Sequence, residues 1–231
     1  MILLLFGPPG CGKGTQAALI SEFYNIPAIS TGEMFRAECK AGTPLGKKAC
    51  SILSSGGLVG DDIVNQIVAS RISKPDCSSG FLLDGYPRTV PQAEFLNHLL
   101  AERGLPQPTV IHLDVAGEVL VARISARRQC PTCGHIYNVL SQPPKVAETC
   151  DIDGATLTRR EDDTEAVIRQ RLEAYETLTG PVIEYYRRGA CIRIDGKHTP
   201  QAIFEEIKSL LAPVPQWGKA PRAVQPELTH A

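Results

Sequence analysis

An apolar strand, a glycine-rich turn and a helix start follow one another within MILLLFGPPGCGKGTQ, the first sixteen residues, and any fold of this chain has to be built around them. Met1 to Leu5 is an unbroken apolar run, the pattern of a fully buried strand. Gly7 to Gly14 then holds four glycines and two prolines before helix formers resume at Gln16 and Ala17. Gly7, Gly12 and Lys13 fit the spacing GxxxxGK, in which glycines let successive backbone N–H groups point at a phosphate chain. The helix N-terminus adds its positive dipole and the lysine a mobile cation. The general pattern wants Ser or Thr directly after the lysine, within reach of magnesium; here Gly14 intervenes and Thr15 supplies the hydroxyl.

The remainder of the chain keeps an α/β rhythm. Periodicity and turn signals predict strands at 26–29, 81–83, 110–115 and 191–194, with helices at 15–24, 33–40, 44–53, 61–73, 89–103, 117–128 and 200–211. A long helix is expected over 162–186, with Pro181 breaking or kinking it. The expected fold class is therefore α/β, a central parallel five-stranded sheet flanked by helices. Residues 129 to about 160 break the rhythm with Cys, Gly, Pro and Thr and read as an inserted β-rich module, while the four prolines of 213–231 read as a disordered tail. With 231 residues, 43% of them hydrophobic, the chain can build one substantial core carrying small insertions. Its 24 basic and 25 acidic residues give a net charge of -1, so nothing pulls it bodily toward nucleic acid or acidic membranes, and any basic site must be local. No apolar run reaches 18 residues and no basic region precedes the N-terminal one, so a cytosolic location without membrane attachment is expected.

Two further constellations carry chemistry. In Leu83-Asp84-Gly85-Tyr86-Pro87-Arg88 an apolar strand delivers a carboxylate to the sheet edge and an arginine four residues later; beside a phosphate loop, Asp84 would hold magnesium and Arg88 would grip phosphate as a planar fork. In the insert, Cys130-x2-Cys133-x16-Cys150-x2-Asp153 offers two ligand pairs at spacings suited to a closed tetrahedral zinc site. His135 competes as a ligand, and an insert held by polar hydrogen bonds alone is the metal-free alternative. The other five cysteines, Cys11, Cys39, Cys50, Cys77 and Cys191, are scattered and read as small buried or incidental thiols.

GPPGCGKGT, ISTGEMFR (29–36), LLDGYPRTVPQ (82–92) and RRED (159–162) together resemble the adenylate kinases, over essentially the whole chain to about Leu211, and GKGT is the usual loop form of that family. The resemblance implies a core of 1–29, 60–128 and 161–212, a helical monophosphate-binding region of 30–59 and a zinc-bearing lid of 129–160. It implies reversible phosphoryl transfer from MgATP to AMP, giving two ADP, in a monomer with no nucleic-acid or membrane partner. Gly10, Gly12, Lys13, Gly14 and Thr15 would bind the ATP phosphates, with Arg123, Arg127 and Tyr137 completing the donor site. Thr31, Arg36, Val59, Gly85, Arg88 and Gln92 would bind AMP, and Arg127, Arg160 and Arg171 would converge on the transferring phosphate. Gln92, able to bond two edge positions of adenine at once, favours AMP over a pyrimidine acceptor. The rivals are a kinase for CMP, UMP or GMP and a non-enzymatic nucleotide switch carrying a zinc ribbon; the second lacks a basic stripe with interleaved aromatics.

Overall fold

The structure, a computed structural model, describes residues 1–187, 189 and 191–212; the expected disordered tail of 213–231 lies outside the described residues. Strand β1 (Ile2–Phe6) leads through the glycine turn into helix α1 (Lys13–Tyr24) and strand β2 (Ala28–Ser30). Helices α2 (Thr31–Ala41), α3 (Pro44–Ser54) and α4 (Asp61–Ile72) precede β3 (Phe81–Asp84), α5 (Val90–Glu102), β4 (Thr109–Asp114) and α6 (Gly117–Ser125). A hairpin of β5 (Arg127–Gln129) and β6 (Ile136–Asn138) follows, then α7 (Glu165–Ala174), α8 (Gly180–Tyr186), β7 (Cys191–Asp195) and α9 (Pro200–Leu211).

Five strands form one parallel sheet in the order β2-β3-β1-β4-β7. Because successive side chains alternate across a strand, the apolar run of β1 serves two cores at once. Ile2, Leu4 and Phe6 join Leu83, Leu96 and Val68 on one face, while Leu3 and Leu5 join Leu82, Ile111 and Ile20 on the other. Each such side chain, removed from water, contributes about 1.5–3 kcal/mol. With β1 central, the phosphate turn at its C-terminal end is anchored by the most buried part of the molecule, and the ends of β3 and β4 lie beside it.

Several elements depart from the expected bounds for physical reasons. Strand β2 starts two residues late because Pro27 has no N–H, although its carbonyl still accepts from Leu82 at 2.9 Å. Helix α6 stops at Ser125, not Arg128, because Arg127 and Arg128 pair with Asn138 and Tyr137 in the hairpin, a long-range contact that periodicity does not register. Pro181 does not break the long helix. A single π turn over Tyr175–Thr179 precedes it, with Gly180 donating to the Tyr175 carbonyl, so that Pro181 enters the first turn of α8, where no N–H is needed. Cys39 and Cys50, read as incidental thiols, are joined in a disulfide, because α3 folds back along α2.

Residues 129–160 are stitched by the hairpin and by isolated bridges at Gln129–Thr158, Asn138–Gln142 and Thr149–Thr156, around a small core of Cys130, Tyr137, Cys150 and Leu157. No helix among the described residues is long and apolar enough to cross a membrane.

Candidate active site

Helix α1 begins at Lys13 behind Gly12, whose φ of 102° lies in the left-handed region that glycine reaches without strain, and this turns the loop N–H groups toward a cavity of about 430 Å³. The Lys13 ammonium lies over the loop, donating to the carbonyls of Gly7 (2.7 Å) and Pro8 (3.0 Å) and, in a long bond that an anion can replace, to Cys11 Sγ (3.8 Å). Gly10, Gly12, Gly14 and Thr15 line the cavity with it. The same cavity is lined by Arg123, anchored by its bond to the Gly196 carbonyl (2.9 Å), and by Arg127 and Tyr137 from the hairpin. Tyr137 also serves the insert: its hydroxyl accepts from the Asp151 N–H (2.8 Å) and lies 3.5 Å from Cys150 Sγ.

Arg36, Arg88, Arg160 and Arg171 line the same cavity, together with Asp84 at the end of β3. Arg88 pairs with no carboxylate among the described residues; its guanidinium makes one hydrogen bond, from Nε to the Gly85 carbonyl at 2.9 Å. Burial, then the neighbouring charge of Arg171, pushes its pKa down to about 10, which leaves it charged at neutral pH but electrostatically unsatisfied. Burial likewise brings Arg160 down to about 10, with Arg36 and Arg127 adding to it. The Nε of Arg36 is buried without a partner among the described residues. Burial raises the Asp84 carboxyl above its ordinary value, a shift that Lys13 and Arg88 only partly oppose. So many crowded, under-neutralised cations favour a ligand with several negative charges.

Of four carboxylates that the sequence reading did not single out for these tasks, three hold the arginines in place and the fourth holds Gln92. Glu33 Oε1 accepts from Arg36 (2.6 Å) and from Arg160 (2.9 Å), linking α2 to the base of the insert. Burial alone would raise its pKa, yet Arg36, Arg160 and Arg127 together hold it below the usual carboxylate value. Asp163, fully buried, takes Nε of Arg127 at 2.8 Å and a second short bond from the same guanidinium; Asp162 takes Arg171 at 2.8 Å. Breaking a buried ion pair costs about 3–5 kcal/mol, so Asp163→Ala is expected to lower unfolding free energy by that amount in urea titration. The fourth, Asp61, starts α4 and receives Thr89 (2.8 Å) and Gln92 (2.6 Å). The sequence also passed over Lys197 and His198, which line the cavity from the loop after β7; that they follow the last strand of a parallel sheet was the available signal.

Beside the main cavity lies a smaller recess walled by Thr31, Val59, Val64, Gly85, Arg88 and Gln92. Thr31 donates to the Gly85 carbonyl (2.9 Å), and the Gln92 amide is held at both ends, accepting from the Arg88 N–H (2.8 Å) and donating to Asp61. One acceptor lone pair and one donor hydrogen of that amide remain for a ligand. Arg88 borders both spaces, so a group held in the recess and a phosphate chain held on the loop would meet at its guanidinium.

In the insert the ligand atoms of Cys130, Cys133, Cys150 and Asp153 lie within 4.8 Å of one another. Cys133 and Cys150 sulfurs are 3.6 Å apart, and Cys130 Sγ is 3.2 Å from Asp153 Oδ2. A tetrahedron of bonds about 2.3 Å long has edges of about 3.8 Å, so the donor set fits a metal ion. His135 packs its ring on Tyr137, 4.7 Å between centroids, and stands outside the set.

A family model described as adenylate kinase matches residues 5–191. The adenylate kinase of Anaeromyxobacter dehalogenans strain 2CP-C is 49% identical over 212 residues, covering 91% of this chain and 99% of the relative. That of Trichlorobacter lovleyi is 53% identical over 187 residues (81% and 87%), and that of Caldanaerobacter subterraneus subsp. tengcongensis 47% over 212 (91% and 96%). Identity near one half over most of the chain, together with the family model's match, means that the chain belongs to the adenylate kinase family.

Proposed function

We propose that the chain transfers the γ-phosphoryl group of MgATP to AMP, reversibly giving two ADP. The observation that carries this reading is Arg88, a half-buried arginine without a carboxylate partner among the described residues, bordering both the phosphate-loop cavity and the recess of Gln92 and Thr31. In the forward reaction an oxygen of the AMP phosphate bonds to the γ-phosphorus as the bond to the β,γ-bridging oxygen breaks. No covalent enzyme intermediate is required, and the protein's task is to align the two chains and neutralise their charge.

The loop N–H groups from Gly10 to Thr15 and Lys13 hold the donor phosphates, while Arg123 and Tyr137 flank the nucleoside. Arg36 and Arg88 take the acceptor phosphate, and Arg127, Arg160 and Arg171 close on the group in flight. Binding of the phosphates would draw Arg36 and Arg160 away from Glu33, so the insert and the 30–59 region can act as covers that exclude water, the competing acceptor. Magnesium bound with ATP would supply further charge neutralisation, and Asp84, which lines the cavity, would hold it. The Cys130, Cys133, Cys150 and Asp153 set would hold zinc in a closed, structural site, since four protein ligands leave no position for water. We place the enzyme in the cytoplasm as a monomer, with small-molecule partners only.

A coupled assay with AMP, CMP, UMP and GMP tests the acceptor. AMP is expected to exceed each of the others by at least about 10²-fold in kcat/KM; equal use of a pyrimidine monophosphate would overturn the assignment. Selectivity rests on Gln92, whose spare donor and acceptor match an adenine edge. Gln92→Ala is expected to raise the KM for AMP about tenfold, to narrow the gap to CMP, and to leave the KM for ATP within about twofold.

A further inference from the structure

We propose that Cys39 and Cys50 form a reversible dithiol–disulfide pair, and that closing it pre-orders the monophosphate recess. Their Cα atoms stand 5.7 Å apart, within the span that a disulfide bridges, and both side chains are half-buried and thus reachable by a small thiol reagent. The same backbone suits both redox states. Cys39 Sγ lies 3.4 Å from the Gly46 carbonyl oxygen, so the reduced thiol has an acceptor waiting.

What keeps the two sulfurs in register does not depend on their bond. α3 crosses α2 with no room for a side chain at Gly46, where an added Cβ would fall 2.1 Å from the Glu38 carbonyl oxygen. Thr43, between the helices, donates to Glu38 Oε2 (2.6 Å) and caps α3 by accepting from the Gly46 N–H (2.9 Å). The remaining cysteines are differently placed. Cys11 and Cys77 are buried, Cys191 stands apart, and Cys130, Cys133 and Cys150 belong to the metal set.

Coupling to the recess follows from the helices that are joined. α2 carries Thr31 and, one turn before Cys39, Arg36; α3 leads into Gly57, Leu58 and Val59, which wall the recess. Neither cysteine lines the recess or the cavity, so the bond constrains the wall without obstructing the ligand. A wall ordered beforehand lowers the conformational cost of binding, so oxidation should tighten acceptor binding.

The oxidant is a low-molecular-weight disulfide of the glutathione type. One cysteine thiolate attacks it, forming a mixed disulfide and expelling one glutathione thiolate; the second cysteine thiolate then displaces the other. The pair loses two electrons and two protons, and glutathione disulfide is reduced to two glutathione thiols.

This inference rests on reading the recess as the AMP site, and the experiment separates the two. The metal-loaded full chain is equilibrated with glutathione disulfide or with reduced glutathione, free thiols are alkylated, and tryptic peptides are weighed while the KM for AMP and for ATP is measured. Expected is peptide 37–40 linked to peptide 49–71 after glutathione disulfide and absent after reduced glutathione. The KM for AMP should be about threefold lower in the oxidised protein, with that for ATP unchanged. Cys39→Ser and Cys50→Ser should show neither the link nor the difference. Absence of the linked peptide at every glutathione ratio overturns the pair, and a linked peptide with the same KM for AMP in both states overturns the coupling. A chain that forms the linked peptide but does not turn over AMP counts against the acceptor reading and leaves the pair standing.

Discussion

Arg88→Met is expected to lower kcat/KM for phosphoryl transfer by about 10³-fold, roughly 4 kcal/mol of transition-state stabilisation, while raising the melting temperature. The two signs have one cause. A half-buried guanidinium with a single hydrogen bond to a carbonyl costs the fold desolvation energy that no carboxylate among the described residues returns. Its pKa, pushed down to about 10, records that penalty: below pH 10 the folded state carries a charge that the unfolded chain holds more comfortably, so removing the group relieves the fold at neutral pH. Only a ligand of opposite charge makes the arrangement favourable, and a transferring phosphoryl group is most demanding at the transition state. Arg88→Lys keeps the charge but loses the planar fork, and should recover no more than about tenfold of the lost activity. Lys13→Ala is expected to fall by a similar factor with little change in melting temperature, since its ammonium bonds only groups of its own loop, the Gly7 and Pro8 carbonyls and, at long range, Cys11 Sγ. Steady-state kinetics with both substrates varied, beside thermal unfolding of the same preparations, reads both quantities; near-normal turnover in either alanine or methionine variant would sink the assigned roles.

How much of this was readable beforehand depended on whether the deciding interaction was local. β1 and its glycine turn are written in sixteen consecutive residues, and the helix expected over 200–211 is α9 (Pro200–Leu211), where the structure adds a Thr199 cap. The strand order was not so written, since parallel pairing between Leu3 and Leu82 joins residues far apart in the chain. Arginines could be located by position, but their carboxylate holders could not. Asp163 in a polar stretch looks like any solvated acid until the fold buries it against Arg127. The Cys39–Cys50 pairing was invisible for a related reason: it depends on how closely α3 returns along α2, which Gly46 decides and which no spacing of cysteines announces. Gln92 shows the converse. Its type and place suggested a base-reading amide, yet only the structure reveals that Asp61 and the Arg88 N–H hold that amide in position.

Stripping the metal from the insert is expected to lower the melting temperature by at least about 10 °C while changing turnover well below that temperature much less. Residues 129–160 bury only Cys130, Tyr137, Cys150 and Leu157 in a core of their own, and two of those four are ligands in the Cys130, Cys133, Cys150 and Asp153 set. A core of that size cannot offset the entropy of ordering such a segment without a cross-link. The set supplies one, tying the turn at Cys130–Cys133 to the turn at Cys150–Asp153, and the two turns are otherwise joined through the paired backbone of Gln129 and Thr158. Those backbone bonds are why moderate temperature should leave the cover in place after chelation, and why heating should release it early. The measurement is metal content and thermal unfolding before and after a zinc chelator, with initial rates across the same temperatures. Asp153→Cys, which keeps four ligands, should retain metal and melting temperature, whereas Cys150→Ser should lose both. Protein that holds no metal when prepared with zinc, or that melts at the same temperature with and without it, would mean that the four side chains meet only as polar neighbours.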